Sequence, residues 1–169
     1  MNLKNKVVVE TGAGSGKGKA TAQLFGKHKA KVVVSDINLD SAQAVVDGIL
    51  LDDGIASAQK TDVTKFEEVE SLIAQTIEKY GQLDVMVNNA GIGGKHQAKT
   101  ANHTHEDWHN VIAVNQTGVF FCMQLALRQM LKQNTGNIIN VASLAGLKPS
   151  SNNLSYAASK FAVVGMTKS

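Results

Sequence analysis

Two continuous β-branched runs, KVVVET (6–11) and KVVVSD (31–36), constrain this chain more than any other feature. Neither alternates apolar with polar, so both predict strands covered on two faces, as in a parallel sheet. The intervening KGKATAQLFGK has Ala20, Leu24 and Phe25 at helical spacing. DSAQAVVDGILL (40–51) predicts a second helix, ended by Gly54, and IASAQKTDV (55–63) a weaker third strand. Thr64 and Glu67 then read as a capping box opening a third helix. Its face is marked by Phe66, Val69, Leu72, Ile73 and Ile77, and its stop is Gly81. LDVMVNNAG (83–91) and GNIINVAS (136–143) predict a fourth and a fifth strand. Between them a long helix starts at a Thr104 cap, runs to about Lys132, and is apolar on nearly every side from Val111 to Met130. SYAASKFAVVGMTK (155–168) predicts the last helix. Strands alternating with helices give an α/β fold: a doubly wound parallel sheet of about five strands, between two helical layers, with right-handed crossovers.

The pattern predicts one domain over residues 1–169. It holds the first three-strand half of a dinucleotide-type sheet and only part of the second. NIINV then becomes a sheet edge although its composition suits a central strand. An apolar edge invites pairing, so a fragment, or a protein relying on a partner, is expected. No apolar run approaches the roughly 20 residues of a membrane helix, and the first ten residues do not read as a secretory signal. The single cysteine, Cys122 in GVFFCMQLAL, rules out an internal disulfide and reads as core packing. A cytoplasmic protein is expected. The net charge is +3, but of 17 basic residues only Arg128 is an arginine and the lysines are scattered. A nucleic-acid binder would cluster them, so neither nucleic acid nor membrane is an expected partner.

The chemistry gathers at strand ends. After Thr11 comes GAGSGKG, whose Gly12, Gly16 and Gly18 open the first helix. Glycines there let a pyrophosphate approach backbone N–H groups at a helix N-terminus. Asp36, eighteen residues beyond Gly18 at the end of the second strand, can accept hydrogen bonds from ribose hydroxyls and repels a 2′-phosphate. Its bland alternative is a turn or capping aspartate. NNAG (88–91) ends the fourth strand, NVAS places Ser143 at the tip of the fifth, and SYAASK sets Tyr156 and Lys160 at i and i+4 on one helix face.

These motifs, in this order, resemble the short-chain dehydrogenase/reductase family over the whole chain: T-G-x-x-x-G-x-G, N-N-A-G, the serine, and Y-x-x-x-K. The resemblance implies a Rossmann-like fold and an oxidoreductase using NAD or NADP to interconvert a secondary alcohol and a ketone. Asp36 tilts the cofactor to NAD. A tyrosine, with an ordinary pKa near 10, needs help to act as a base at neutral pH, and a neighbouring ammonium supplies it. The resemblance implies Tyr156 as the proton-transfer group, Lys160 as its activator and a ribose ligand, Ser143 on the substrate oxygen, and Asn115 holding a relay water. Asn115 reads otherwise as a buried helical amide satisfied by nearby backbone. The implied cofactor contacts are Gly12, Ser15, Gly16, Lys17, Gly18, Asp36, Asp62, Val63, Asn89, Ala90, Gly91, Tyr156 and Lys160, with Asn88 in the same groove-lining segment. Asp62 reads otherwise as an ordinary turn aspartate. A homodimer or homotetramer through helices 104–132 and 156–168 is implied as well, and a small alcohol or ketone as the substrate.

Three features depart from the family pattern. Lys17 stands where the family has isoleucine or leucine. Glu10 stands where the first strand prefers valine or isoleucine, and a carboxylate between covered faces costs several kcal/mol, as an order of magnitude, unless paired or protonated. Lys17 is its nearest candidate partner in sequence. The family's C-terminal portion, with its last strands and much of its substrate lid, has no counterpart, so a catalytically impaired dinucleotide-binding fragment is the second reading. The third reading comes from HEDWH (105–109), formally the H-E-x-x-H of zinc hydrolases. With no further ligand announced, the preferred account is a polar first turn in which Glu106 and Asp107 complement the helix dipole, and no metal is expected. His28 and His96 read as surface residues.

Overall fold

The computed structural model describes residues 3–94, 98–148 and 151–169. His96 therefore lies outside the described residues, and His28 is exposed. The elements run β1 (Val7–Thr11), α1 (Gly16–Lys27), β2 (Lys31–Asp36), α2 (Leu39–Leu51), β3 (Ile55–Lys60), α3 (Phe66–Tyr80), β4 (Val85–Asn88), α4 (His105–Ile112), α5 (Val119–Gln133), β5 (Asn137–Asn140) and α6 (Leu154–Lys168). All strand pairs are parallel, in the order β3-β2-β1-β4-β5. This is the Rossmann-like α/β arrangement with the order reversing beside β1, the switch point where such sheets bind ligands.

The two faces of the sheet carry separate cores. Val8, Val32, Val34, Val85 and Val87 pack with Ala22 of α1 and Ala42, Val45 and Ile49 of α2. Val9, Val33 and Met86 pack with Val69, Leu72 and Ile73 of α3 and Cys122, Leu125 and Met130 of α5. Burial raises the Cys122 thiol to about 12, as fits a packing residue.

Three local expectations are corrected. Thr64 does not cap α3: Lys65 is the N-cap and makes no side-chain cap bond. Thr64 instead donates through its N–H and its hydroxyl to Asp62 Oδ1 (2.9 and 2.8 Å), and Glu68, not Glu67, accepts from the Asp62 N–H at 2.7 Å. A turn centred on a carboxylate has displaced the box. In α1 the buried positions are Gly18, Ala22 and Gly26, whereas Ala20 and Leu24 are exposed. A Cβ on Gly26 would stand 2.7 Å from Ile49 Cγ2, so small residues set how closely α1 meets α2. The long helix is continuous over 105–133 but changes pitch: Ala113–Gly118 is π-helical, an irregularity often found at functional sites.

That helix is also long and apolar enough, by length and composition, to cross a membrane, a property the run-length reading did not register. Here Val111, Val119, Cys122, Leu125, Ala126 and Met130 turn inward instead. Its Thr104 cap accepts from the Asp107 N–H at 3.1 Å, as expected.

Candidate active site

One cleft of about 530 Å³ runs across the C-terminal strand tips, a size usual for small-molecule sites. Its floor is the β1–α1 turn. Gly12 adopts φ +63°, and a Cβ there would lie 2.7 Å from Ala90 Cα, so the turn requires glycine and presses against the end of β4. Asn89 ties the two together, donating from Nδ2 to the carbonyls of Thr11 and Gly12 at 2.9 Å each. Ser15 is the N-cap of α1, makes no side-chain cap bond, and no acidic residue stands in the first turn. The N–H groups of that turn therefore keep their capacity for an anion.

At one end of the cleft Asp36 accepts from the Gly14 N–H through Oδ2 (2.9 Å) and from the Asn38 N–H through Oδ1 (3.0 Å). The turn role and the cleft position thus belong to the same side chain, because each carboxylate oxygen retains a second lone pair. Asp62, in its turn after β3, and Val63 complete that end. Gly118 in the π-helical turn would put a Cβ 2.8 Å from Val63 Cγ2, so the long helix holds Val63 in place.

At the other end stand Tyr156 and Lys160. Lys160 is 4% exposed, its ammonium donates to Val141 O at 2.7 Å and lies 5.7 Å from the centroid of the Tyr156 ring. Burial, and then the charge of Lys17, hold its pKa below the ordinary lysine value. A cation that loses its proton more readily still favours phenolate while it is charged.

All of Gly12, Ser15, Gly16, Lys17, Gly18, Asp36, Asp62, Val63, Asn89, Ala90, Gly91, Tyr156 and Lys160 line this one cleft. Asn88 does not. It is buried on β4, and its Nδ2 donates to Asn140 Oδ1 at 2.7 Å. Asn115 lies just behind the wall, fully buried: Oδ1 accepts from the Ile92 N–H (2.8 Å), and Nδ2 donates to Ile92 O (2.8 Å) and to Ser159 Oγ (3.2 Å). Its amide braces the cleft loop against α6, as the buried-amide alternative describes. Ser143 is not among the lining residues; its hydroxyl accepts from the Ala145 N–H at 3.2 Å, leaving its own proton to donate. The apolar wall of Ile37, Ile92, Val114, Val141 and Ala142 was missed in the sequence. Val141 and Ala142 lie within the NVAS motif and the others beside motif residues, with no pattern of their own to mark them.

Glu10 is 1% exposed, its Oε2 is without a hydrogen-bond partner, and burial raises its pKa to about 8. No ion pair joins it to Lys17 among the described residues, so protonation takes the place of that expected pairing. No residue of the HEDWH segment lines this cleft. Asp107 is buried, accepting from the Ser155 hydroxyl at 3.2 Å and lying 3.4 Å from His103 Nδ1. It therefore ties α4 to the start of α6, beyond any effect on the helix dipole. Among the described residues no group of three His, Cys, Asp or Glu is placed to hold a metal ion.

A family model described as short chain dehydrogenase matches residues 6–169. The chain belongs to the short-chain dehydrogenase family. Cyclohexanol dehydrogenase of an Acinetobacter species is 41% identical over 98% of this chain and 66% of its own length. A 3-oxoacyl-(acyl-carrier-protein) reductase of Thermotoga maritima is 40% identical over 99% of this chain and 68% of its own. Secoisolariciresinol dehydrogenase of Forsythia intermedia is 37% identical, with 59% of its length covered. Among solved structures, NAD+-bound xylitol dehydrogenase superposes with a TM-score of 0.96 at 30% identity, over 99% of this chain and 64% of that one. Levodione reductase gives 0.94 at 34%, over 98% and 64%. The chain thus spans about two thirds of the length of such relatives.

Proposed function

We propose that this chain carries the cofactor-binding and proton-transfer portion of an NAD-dependent oxidoreductase that interconverts a secondary alcohol and a ketone. The observation that carries the reading is the single cleft that joins Asp36, the glycine turn and the Tyr156–Lys160 pair. The uncapped first turn of α1 suits the pyrophosphate, Asp36 suits ribose hydroxyls in preference to a 2′-phosphate, and Lys160 suits the second ribose. The bound nicotinamide supplies or accepts the hydride. Tyr156 moves the proton at the alcohol oxygen, with the Lys160 ammonium favouring its phenolate form. Ser143 donates its remaining proton to the substrate oxygen as charge develops there. Asn115 keeps the Ile92 loop against α6 and so fixes the distance between the cofactor wall and Tyr156.

NADH fluorescence titration followed by turnover with a panel of secondary alcohols tests the reading. Tyr156→Phe should lower turnover by at least about 10²-fold, the scale of a lost general acid–base group, and leave NADH affinity within a few-fold. Undiminished turnover removes Tyr156 from its role. Asp36→Ala should narrow the NAD-to-NADP affinity ratio roughly tenfold by removing like-charge repulsion at the 2′ position, and an unchanged ratio refutes the assignment of Asp36.

A second reading is favoured by the share of relatives that the chain spans, 59–68%: a dinucleotide-binding unit that performs no chemistry alone. Tight NADH binding without turnover would select it. Exposed Phe120, Leu127 and Leu131 on α5 and Phe161 on α6 (44–74%) also support assembly through helices 104–132 and 156–168. Light scattering should show a dimer or tetramer, broken by Phe161→Glu.

A further inference from the structure

We propose that Lys17 makes this cleft select the reduced, uncharged nicotinamide over the oxidised, positively charged one. The inference rests on the reading that a dinucleotide lies in the cleft with its adenosine toward Asp36. The charges along the cleft are segregated. Asp36 and Asp62 stand at the β2–β3 end, while Lys17 and Lys160 are the cations that line it. Val141 touches the Lys160 ammonium, and among the described residues Asp36 and Asp62 are the only carboxylates that line the cleft. Lys17 is exposed on the first turn of α1 and forms no ion pair among the described residues. Lys17 and Lys160 line the same cleft, and after burial the charge of Lys17 is the second cause that lowers the Lys160 pKa. Glu10, the nearest carboxylate in sequence, is shut in the core and does not line the cleft.

The two redox forms of the cofactor share adenosine, both riboses and the pyrophosphate, and differ by one positive charge on the ring. Whatever Lys17 does for the phosphates therefore cancels in the ratio of the two affinities. What survives is the repulsion between two ammonium groups and the ring cation. A charge pair separated by several ångströms in a partly wet cleft is worth roughly a fivefold change in affinity per ammonium. The residue at this position is thus a redox-form discriminator, which isoleucine or leucine, the residues the sequence pattern expects there, could not be.

The test is calorimetric titration of the whole chain with NAD+ and NADH separately, for the wild type, Lys17→Leu and Lys17→Arg. Lys17→Leu should tighten NAD+ binding roughly fivefold while NADH changes less than twofold, and Lys17→Arg should keep the wild-type ratio. Raising the salt concentration should compress the wild-type ratio toward that of Lys17→Leu. Parallel weakening of both forms in Lys17→Leu would show that the ammonium serves only the pyrophosphate and would overturn the proposal, as would two unchanged affinities. Absence of binding by either form to any of the three proteins would overturn the dinucleotide reading itself, a distinct outcome.

Discussion

Strands β1 and β5 belong to one sheet and invert the usual rule of burial. In β1 a glutamate, Glu10, is 1% exposed, and in β5 an isoleucine, Ile139, is 46% exposed. Position in the sheet accounts for both. Glu10 sits between Val34 of β2 and Val87 of β4 in register, on a strand with neighbours on both sides and helices over both faces. Ile139 pairs with Val87 alone, and alternation that turns Ile138 into the α5 core sends Ile139 the other way. Side-chain chemistry decides whether a strand forms; its place in the order decides what each residue experiences. The family fold tolerates the carboxylate inside because the carboxylate gives up its charge.

The largest effect that could break this comparison is the removal of Glu10. Its folded pKa, pushed up to about 8, stands above the ordinary 4.5. Stability is therefore unpenalised below about pH 4.5, falls as the unfolded chain ionises while the folded one does not, and levels off above about pH 8. At about 1.36 kcal/mol per unit the full penalty is on the order of 4–5 kcal/mol as an upper bound. Glu10→Val should raise stability by up to that amount at pH 8.5 and little at pH 4.5, measured by urea unfolding. Equal effects at the two pH values would mean that Glu10 is ionised in the core after all.

A smaller loss is expected where the inner strands are anchored. Burial would raise the Asp84 pKa, but hydrogen bonds from Lys6 Nζ, the Val7 N–H and Gln82, with the Lys6 charge, outweigh it and hold the carboxyl below its ordinary value. Such a group contributes stability above its unfolded pKa and loses it as pH falls through the folded one. Asp84→Ala should cost about 3 kcal/mol near pH 7, since it leaves the buried Val7 N–H unsatisfied. The cost should shrink in acid, and a cost that does not depend on pH would assign Asp84 a packing role only. Together, Asp84 and Glu10 predict a stability maximum near pH 4, between their ordinary values of 3.8 and 4.5, in the gap between acid loss and alkaline penalty.

At the edge the same kind of change should matter least. Ile139→Lys is expected to alter unfolding free energy by about 0.5 kcal/mol or less, as for exposed sites, while reducing self-association in light scattering by charging the edge. A cost of several kcal/mol would show that β5 is covered in solution.

Much of this was legible in the chain. Apolar runs such as VVV at 7–9 and 32–34 announce parallel strands because no face is left for water, and the glycines at 12, 16 and 18 announce the turn because only they permit that approach. Eleven of the thirteen proposed cofactor contacts come together on one cleft because each ends or follows a strand or opens a helix, so topology carries them to the same end of the sheet, while Tyr156 and Lys160 reach it from α6. The misses share a cause. Thr64 and Asn88 carry suitable groups, but a neighbouring carboxylate captured the first and strand alternation turned the second away from the cleft. Lys17 and Lys160 lie far apart along the chain, and only the fold brings both to one cleft.

By itself, then, the sequence determined the alternation of strand and helix, the glycine turn and the residue types at each strand tip, because these depend on local sterics and on periodic burial. Only the tertiary structure decided which polar groups lost their water. Burial and charge pairing act through space, and the folded sheet alone places Glu10 in the dark and brings Lys17 and Lys160 to one cleft.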